Sequence, residues 1–235
     1  MRGQNKTPVL SIGLDATVRR DETPGERAYR ELKSRILTCR LAPGNRLDER
    51  ALAAEIRVPR ADLREACSRL VYERLVCVTG PRAFAVAGFS LPDIRELFEL
   101  RQIVESKAAA LAAERASPQQ VARLLVLAEL NYRPGQRNTY EHYLKMNSAF
   151  HQQLAHTSGN SRLEAVVVAL LDQIQRPLYL GLDVGLDPDE ATAEHLLVVD
   201  AVRRKRPAIA HRLMWNQIAG AEKRIITAFG DNGFA

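Results

Sequence analysis

Cysteine is scarce: Cys39, Cys67 and Cys77 are the only three in 235 residues. An odd number, widely spaced and without C-x-x-C, supports neither a disulfide framework nor a cysteine-held zinc, and points to reduced, partly buried thiols. Long apolar runs are missing as well. No stretch reaches the roughly eighteen residues of a spanning helix, and the N-terminal residues around Lys6, Arg19, Arg20, Asp21 and Glu22 hold no signal-peptide core. The expectation is a cytosolic chain without a membrane partner. There is also no H-E-x-x-H, Walker A loop, dinucleotide fingerprint or nucleophile elbow. These absences disfavour an enzyme.

What the sequence does have is charge, unevenly placed. The formal net charge is +6; residues 1–90 hold 17 Lys or Arg against 11 Asp or Glu, and the rest is balanced at 17 against 17. A short basic module joined to a neutral one is the distribution expected when one part meets a polyanion and the other does something else.

Residues 1–25, with Thr7-Pro8, Gly13 and Thr23-Pro24-Gly25 and no sustained period, read as a flexible arm. A first helix is predicted over 26–39 from Tyr29, Leu32 and Ile36, and Leu41-Ala42-Pro43-Gly44 ends it. Asp48 can cap a second helix over 49–56, with Leu52 and Ile56 facing inward. A tight connection at Arg57-Val58 leads to a third helix starting near Pro59, with Leu63, Cys67 and Leu70 on its inner side. Three short helices with tight turns form a helix-turn-helix unit, whose last helix can enter a major groove.

Arg60 and Arg64, four residues apart, share a face of that helix, and Arg50 adds a cation nearby. A guanidinium fork can bond guanine O6 and N7, or a phosphate, in pairs. Leu75-Val76-Cys77-Val78 and Phe84-Ala85-Val86 then read as a hairpin, or wing, with Arg82 near its tip. A single arginine would more often be solvated or paired, here with Asp62 or Glu65; three helices, a basic face and a basic wing together favour DNA. The head therefore spans 26–88.

Residues 89–93 form a linker, after which helical patterns are predicted over 94–116, 118–131, 138–156, 161–180, 188–204 and 207–229, a bundle across 94–229 followed by a tail at 230–235. Ser90 or Pro92 begins the first of these, and Pro177 is expected to end or bend the fourth. Arg101 falls on an apolar side with Leu97, Val104 and Ala108, so it needs a partner: Glu105 one turn on, a neighbouring helix, or a bound anion. Asn147 and His151 share a face, with His195 and His211 farther along.

Ala28 to Leu37 (AYRELKSRIL) and Leu41 to Ala53 (LAPGNRLDERALA) resemble the opening of the GntR family of bacterial transcriptional regulators, in the FadR-like branch with a helical FCD effector domain. The resemblance covers about 26–229. It implies a mainly α fold, a winged helix-turn-helix followed by an FCD-type bundle, and DNA-reading arginines at Arg50, Arg60 and Arg64. Arg57 stands where the family usually has a turn glycine, Pro59 and Ala61 where it has small hydroxyl residues, Asp62 where it has proline or threonine, and Ala83 where the wing has glycine.

In the second domain Asn147 to His151 (NSAFH), Ser158 to Leu163 (SGNSRL) and Glu194-His195 carry the likeness. Metal-holding relatives place an aspartate and three histidines at the positions of Asn147, His151, His195 and Gln217. Only two histidines remain, which implies no tight metal and at most weak divalent binding at His151 and His195. Arg101, Asn147, His151, His195 and Gln217 are then the expected effector contacts, for a small acidic ligand by the family's habit.

The expectation is a homodimeric, ligand-responsive regulator, a repressor rather than an activator, on a palindromic operator of double-stranded DNA. Two other classes stay open on the sequence: a helical scaffold with degenerate DNA recognition, and a metal-assisted enzyme.

Overall fold

The computed structural model describes residues 22–81, 83–129, 133, 136–182 and 188–231. The head is built from α1 (Pro24–Leu37), α2 (Glu49–Ile56), α3 (Arg60–Tyr72), β1 (Val76–Gly80) and β2 (Ala83–Val86). The bundle follows as α4 (Leu91–Arg115), α5 (Pro118–Ala128), α6 (Arg137–Thr157), α7 (Ser161–Gly181), α8 (Pro188–Arg203) and α9 (Pro207–Asp231). Among the described residues no helix is long and apolar enough to cross a membrane.

Capping fixes where helices begin. Asp48 accepts from the amides of Arg50 and Ala51, so α2 has the expected bounds. Reciprocal bonds between Thr23 and Glu26, and between Ser90 and Asp93, start α1 at Pro24 and α4 at Leu91, earlier than the predicted 26 and 94. Two residues assigned to the arm thus belong to the first helix. Pro59 is the N-cap of α3 rather than its first residue. Pro177 does not end its helix: α7 continues to Gly181, with Arg176, Pro177, Tyr179 and Gly181 buried in the surrounding packing that holds the turn without that amide.

The head closes on Leu32 and Ile36 of α1, Leu52 and Ile56 of α2, Leu63, Cys67 and Leu70 of α3, and Val76, Phe84 and Val86 of the hairpin. Its strands pair antiparallel, Val76 with Val86 and Val78 with Phe84, with an irregularity between Val78 and Gly80. The segment after α1 forms a third edge: Leu47 N donates to Phe84 O at 2.9 Å, Val86 N to Asn45 O at 2.9 Å, and Arg46 bridges Ala85. In the bundle α4 lies at the centre, its alanines from 108 to 113 largely buried against the neighbouring helices, with Phe98, Phe150, Ile174, Val198, Met214 and Ile218 in the main core.

The turn into α3 carries a conformational cost. Arg57 sits at φ 61°, ψ 54°, the left-handed region, as the C-cap of α2. A side chain there costs roughly 1–2 kcal/mol, which glycine avoids. Arg57→Gly should therefore raise stability by about 1 kcal/mol, seen as a melting temperature about 2–4 °C higher; an unchanged or lower value would contradict the strain.

Candidate functional site

Two sites follow from this frame. On the head, Arg46 from the third edge, Arg50 from the first turn of α2 and Arg60 from the start of α3 are all exposed, and with Asp48 and Ala83 they line a concavity of about 430 Å³. Backbone amides of Ala51 and Arg50, and then the charges of Arg50 and Arg60, hold the Asp48 carboxyl below its ordinary range. Arg64 is placed differently. Its Nη1 donates to both oxygens of the buried Glu49 at 3.0 and 3.2 Å, and its guanidinium lies 5.6 Å from the Phe84 ring centre. It braces α3 against α2 and the wing, and its other nitrogens have no partner among the described residues. Arg82 lies outside the described residues.

The second site is in the bundle. Arg101, Tyr143, Asn147, His151, Gln217 and Arg224 line one cavity, with Leu178, Leu182, Ala191 and Ile225 as apolar wall. Its free space is about 30 Å³, enough for a water or two. Arg101 and Glu105 are each 2% exposed, and Arg101 Nε donates to Glu105 Oε1 at 2.6 Å. His151 Nδ1 stands 2.5 Å from Glu105 Oε2, and neither atom has an aligned hydrogen bond elsewhere. Burial alone would raise the Glu105 carboxyl; the Arg101 and His151 charges outweigh it and bring it down to about 2.

His195 packs behind this pair. It stacks on Phe150 at 4.0 Å and 17° and meets His151 edge-on at 5.1 Å. Burial, then the charges of His151, Arg101 and Arg224, push it well below the ordinary imidazole value, so it is neutral. Both its nitrogens and Gln217 Oε1 are buried without hydrogen-bond partners among the described residues. Arg224, held by Glu194 at 3.0 Å and Glu190 at 3.1 Å, brings a second cation to the cavity wall.

Between the two sites runs α7. Its Asp172 pairs with Lys33 of α1 at 2.6 Å, and Lys33 also donates to Glu73 at 2.8 Å, beside Tyr29, whose hydroxyl donates to Glu73 at 2.7 Å. Arg176 donates to the Ala87 carbonyl, where the head ends. Two and six residues after Arg176, Leu178 and Leu182 of the same segment line the cavity.

Residues 24–86 match the model of the bacterial regulatory proteins of the gntR family, and residues 96–220 match that of the FCD domain. The chain belongs to the GntR family. The transcriptional regulator of the nta operon from Aminobacter aminovorans is 32% identical over 133 residues, 57% of this chain and 63% of that one. The transcriptional repressor NanR of Salmonella newport is 30% identical over 210 residues, 80% of each chain. Among solved structures, E. coli McbR/YncC superposes with a TM-score of 0.72 at 20% identity, covering 88% of this chain and 99% of that one. At that identity the likeness establishes the fold.

This GntR-family chain is therefore a transcriptional regulator, not an enzyme, with an N-terminal DNA-binding head and an FCD domain. Of the positions singled out in its sequence, Arg50 and Arg60 stand together on the head, and Arg101, Asn147, His151 and Gln217 meet at the cavity, with His195 directly behind. Arg46, Tyr143 and Arg224 were not anticipated. Arg46 could have been found from its place just before the Asp48 cap; Arg224 leaves no local signal, because its cavity neighbours are far away in sequence.

Proposed function

We propose that this regulator is a homodimeric repressor whose affinity for a palindromic operator falls when a small carboxylic acid enters the bundle. The observation that carries the ligand class is that two arginines, Arg101 and Arg224, both line this one cavity. Gln217 Oε1 lacks a donor there, which favours an acid that also bears a hydroxyl or ammonium group. Arg46, Arg50, Arg60, Arg64 and Arg82 are the proposed DNA contacts, and Arg101, Asn147, His151, His195 and Gln217 the effector contacts.

The donor set does not fit a tightly held metal. Asn147 and Gln217 are neutral amides beside two imidazoles, and among the described residues no group of three or more His, Cys, Asp or Glu is placed to hold an ion. His151 and His195 leave room for weak divalent binding only.

Because the cavity is so small, an acid of several carbons must push its walls apart, and α7 is the wall that also grips the head. A shift at Leu178 and Leu182 reaches Asp172 and Arg176, and through them Lys33 and Ala87. The test is a gel shift on DNA upstream of the regulator's own gene, with a panel of small hydroxy, amino and dicarboxylic acids chosen first by thermal shift. Expected is one acid that stabilises the protein, releases the DNA and keeps both effects in a chelator; Asp172→Asn should keep the stabilisation and blunt the release. If acids stabilise no better than their neutral amides, the ligand class is wrong.

A further inference from the structure

Where the head meets the bundle lies a cleft that neither site above uses. Its volume is about 670 Å³, against the roughly 300–1,000 Å³ of small-molecule sites, which favour domain junctions. The head contributes Thr38 to Arg40 and Ala42 to Gly44, the turn after α1; Gly88 and Phe89 come from the linker. The bundle adds Arg137 of α6 with Tyr179 and Leu180 of α7. Ala42, Pro43, Phe89, Tyr179 and Leu180 give it apolar walls that include two aromatic rings.

Arg176 stands beside this cleft, one turn before Tyr179 and Leu180 on α7. Its guanidinium lies 5.7 Å from the ring centre of Phe89, and its Nη1 donates to the carbonyl of Ala87, next to Gly88. The residue is 3% exposed, yet no carboxylate pairs with it among the described residues. There its Nε is buried without a partner and its Nη2 makes no hydrogen bond. Burial pulls its pKa below the ordinary arginine value, and the acidic group that works against this is the thiol of Cys39, in the cleft wall. A buried cation left so unmatched is costly; the equally buried Arg101 has Glu105.

We propose that this junction cleft is a second ligand site, separate from the bundle cavity, and that it takes an aromatic carboxylate. The Nε–Nη2 edge of Arg176 offers two parallel N–H donors to one carboxylate, the anion its burial calls for. Phe89 and Tyr179 supply rings for the ligand's own ring to pack against. Arg40, held by Glu141 at 2.8 Å, and the exposed Arg137 add positive charge to the lining. Head and bundle both line the cleft, so its occupant bridges them.

Isothermal titration calorimetry on the full chain tests it, with benzoate as the probe and benzamide as its neutral match. Benzoate should bind at least ~10-fold more tightly than benzamide, the margin of a hydrogen bond to a charged group. Arg176→Met keeps the apolar stem and removes an unmatched buried charge, so it should melt no lower than the original and bind the two probes alike. Ala42→Trp, which fills the cleft and leaves every charge in place, should weaken benzoate by a similar factor. Arg224→Met, in the bundle cavity, should leave benzoate affinity within about threefold of the original. Equal binding of benzoate and benzamide by the unmodified protein overturns the site, as does undiminished benzoate affinity in Arg176→Met or, should that variant not fold, in Ala42→Trp. Loss of benzoate binding in Arg224→Met puts the acid in the bundle cavity: the effector proposal then stands and the junction site is refuted.

Discussion

Glu105→Ala is expected to lower the unfolding free energy by about 3–5 kcal/mol, because it strands a buried guanidinium. Arg101 is 2% exposed and its Nε bond to Glu105 is 2.6 Å long, so the truncation leaves the guanidinium buried without its carboxylate. The melting temperature should fall by about 10 °C or more. Replacing both partners, Arg101→Met with Glu105→Leu, should regain most of the loss while ending any response to an acid. A Glu105→Ala protein as stable as the original would refute the buried charge pair.

The same pair sets an acid limit. The Glu105 carboxyl is held at about 2 in the fold against an ordinary value of 4.5, so its contribution, on the order of 3 kcal/mol, is complete above pH 4.5 and lost as pH falls through about 2. His195 acts in a separate window. Its folded value lies well below 6.5, so stability begins to fall once pH drops under 6.5, where the unfolded chain takes up a proton that the buried ring does not. Glu105→Gln should flatten the loss below pH 4.5 and leave the upper one in place.

How much of this was legible in the sequence depends on how local each cause is. The bounds of α2 and the pairing of Arg101 with Glu105 were readable because a cap and an i, i+4 pair act within a few residues. The starts of α1 and α4 slipped because the capping bonds of Thr23 and Ser90 recruit residues whose composition looks like loop. Convergence of Asn147, His151 and Gln217 came only from the family resemblance, since no spacing connects α6 with α9. The Lys33–Asp172 contact between the modules and the place of Arg224 could not be read at all: long-range pairs leave no periodic trace. Arg64 shows the opposite limit. Spacing correctly put it on the face of Arg60, but the buried Glu49, on another helix, decides where its guanidinium goes.

That difference between the two arginines has a measurable outcome on DNA. Arg60 is exposed at the first turn of α3, beside Arg46 and Arg50, with no ion pair among the described residues, so removing it costs the fold little. Arg60→Ala should weaken operator binding by about 1–3 kcal/mol, roughly 10- to 100-fold, with melting unchanged. If Arg60 reads a base, the loss is confined to the operator, and scrambled DNA of equal length binds as before. If it meets a phosphate, both DNAs weaken alike and the dependence of log affinity on log salt becomes shallower by about one. Arg64→Ala should lose DNA affinity and stability together, because the 7%-exposed Glu49 is left buried without its cation. Unchanged operator affinity in Arg60→Ala would remove the third helix from the DNA contact.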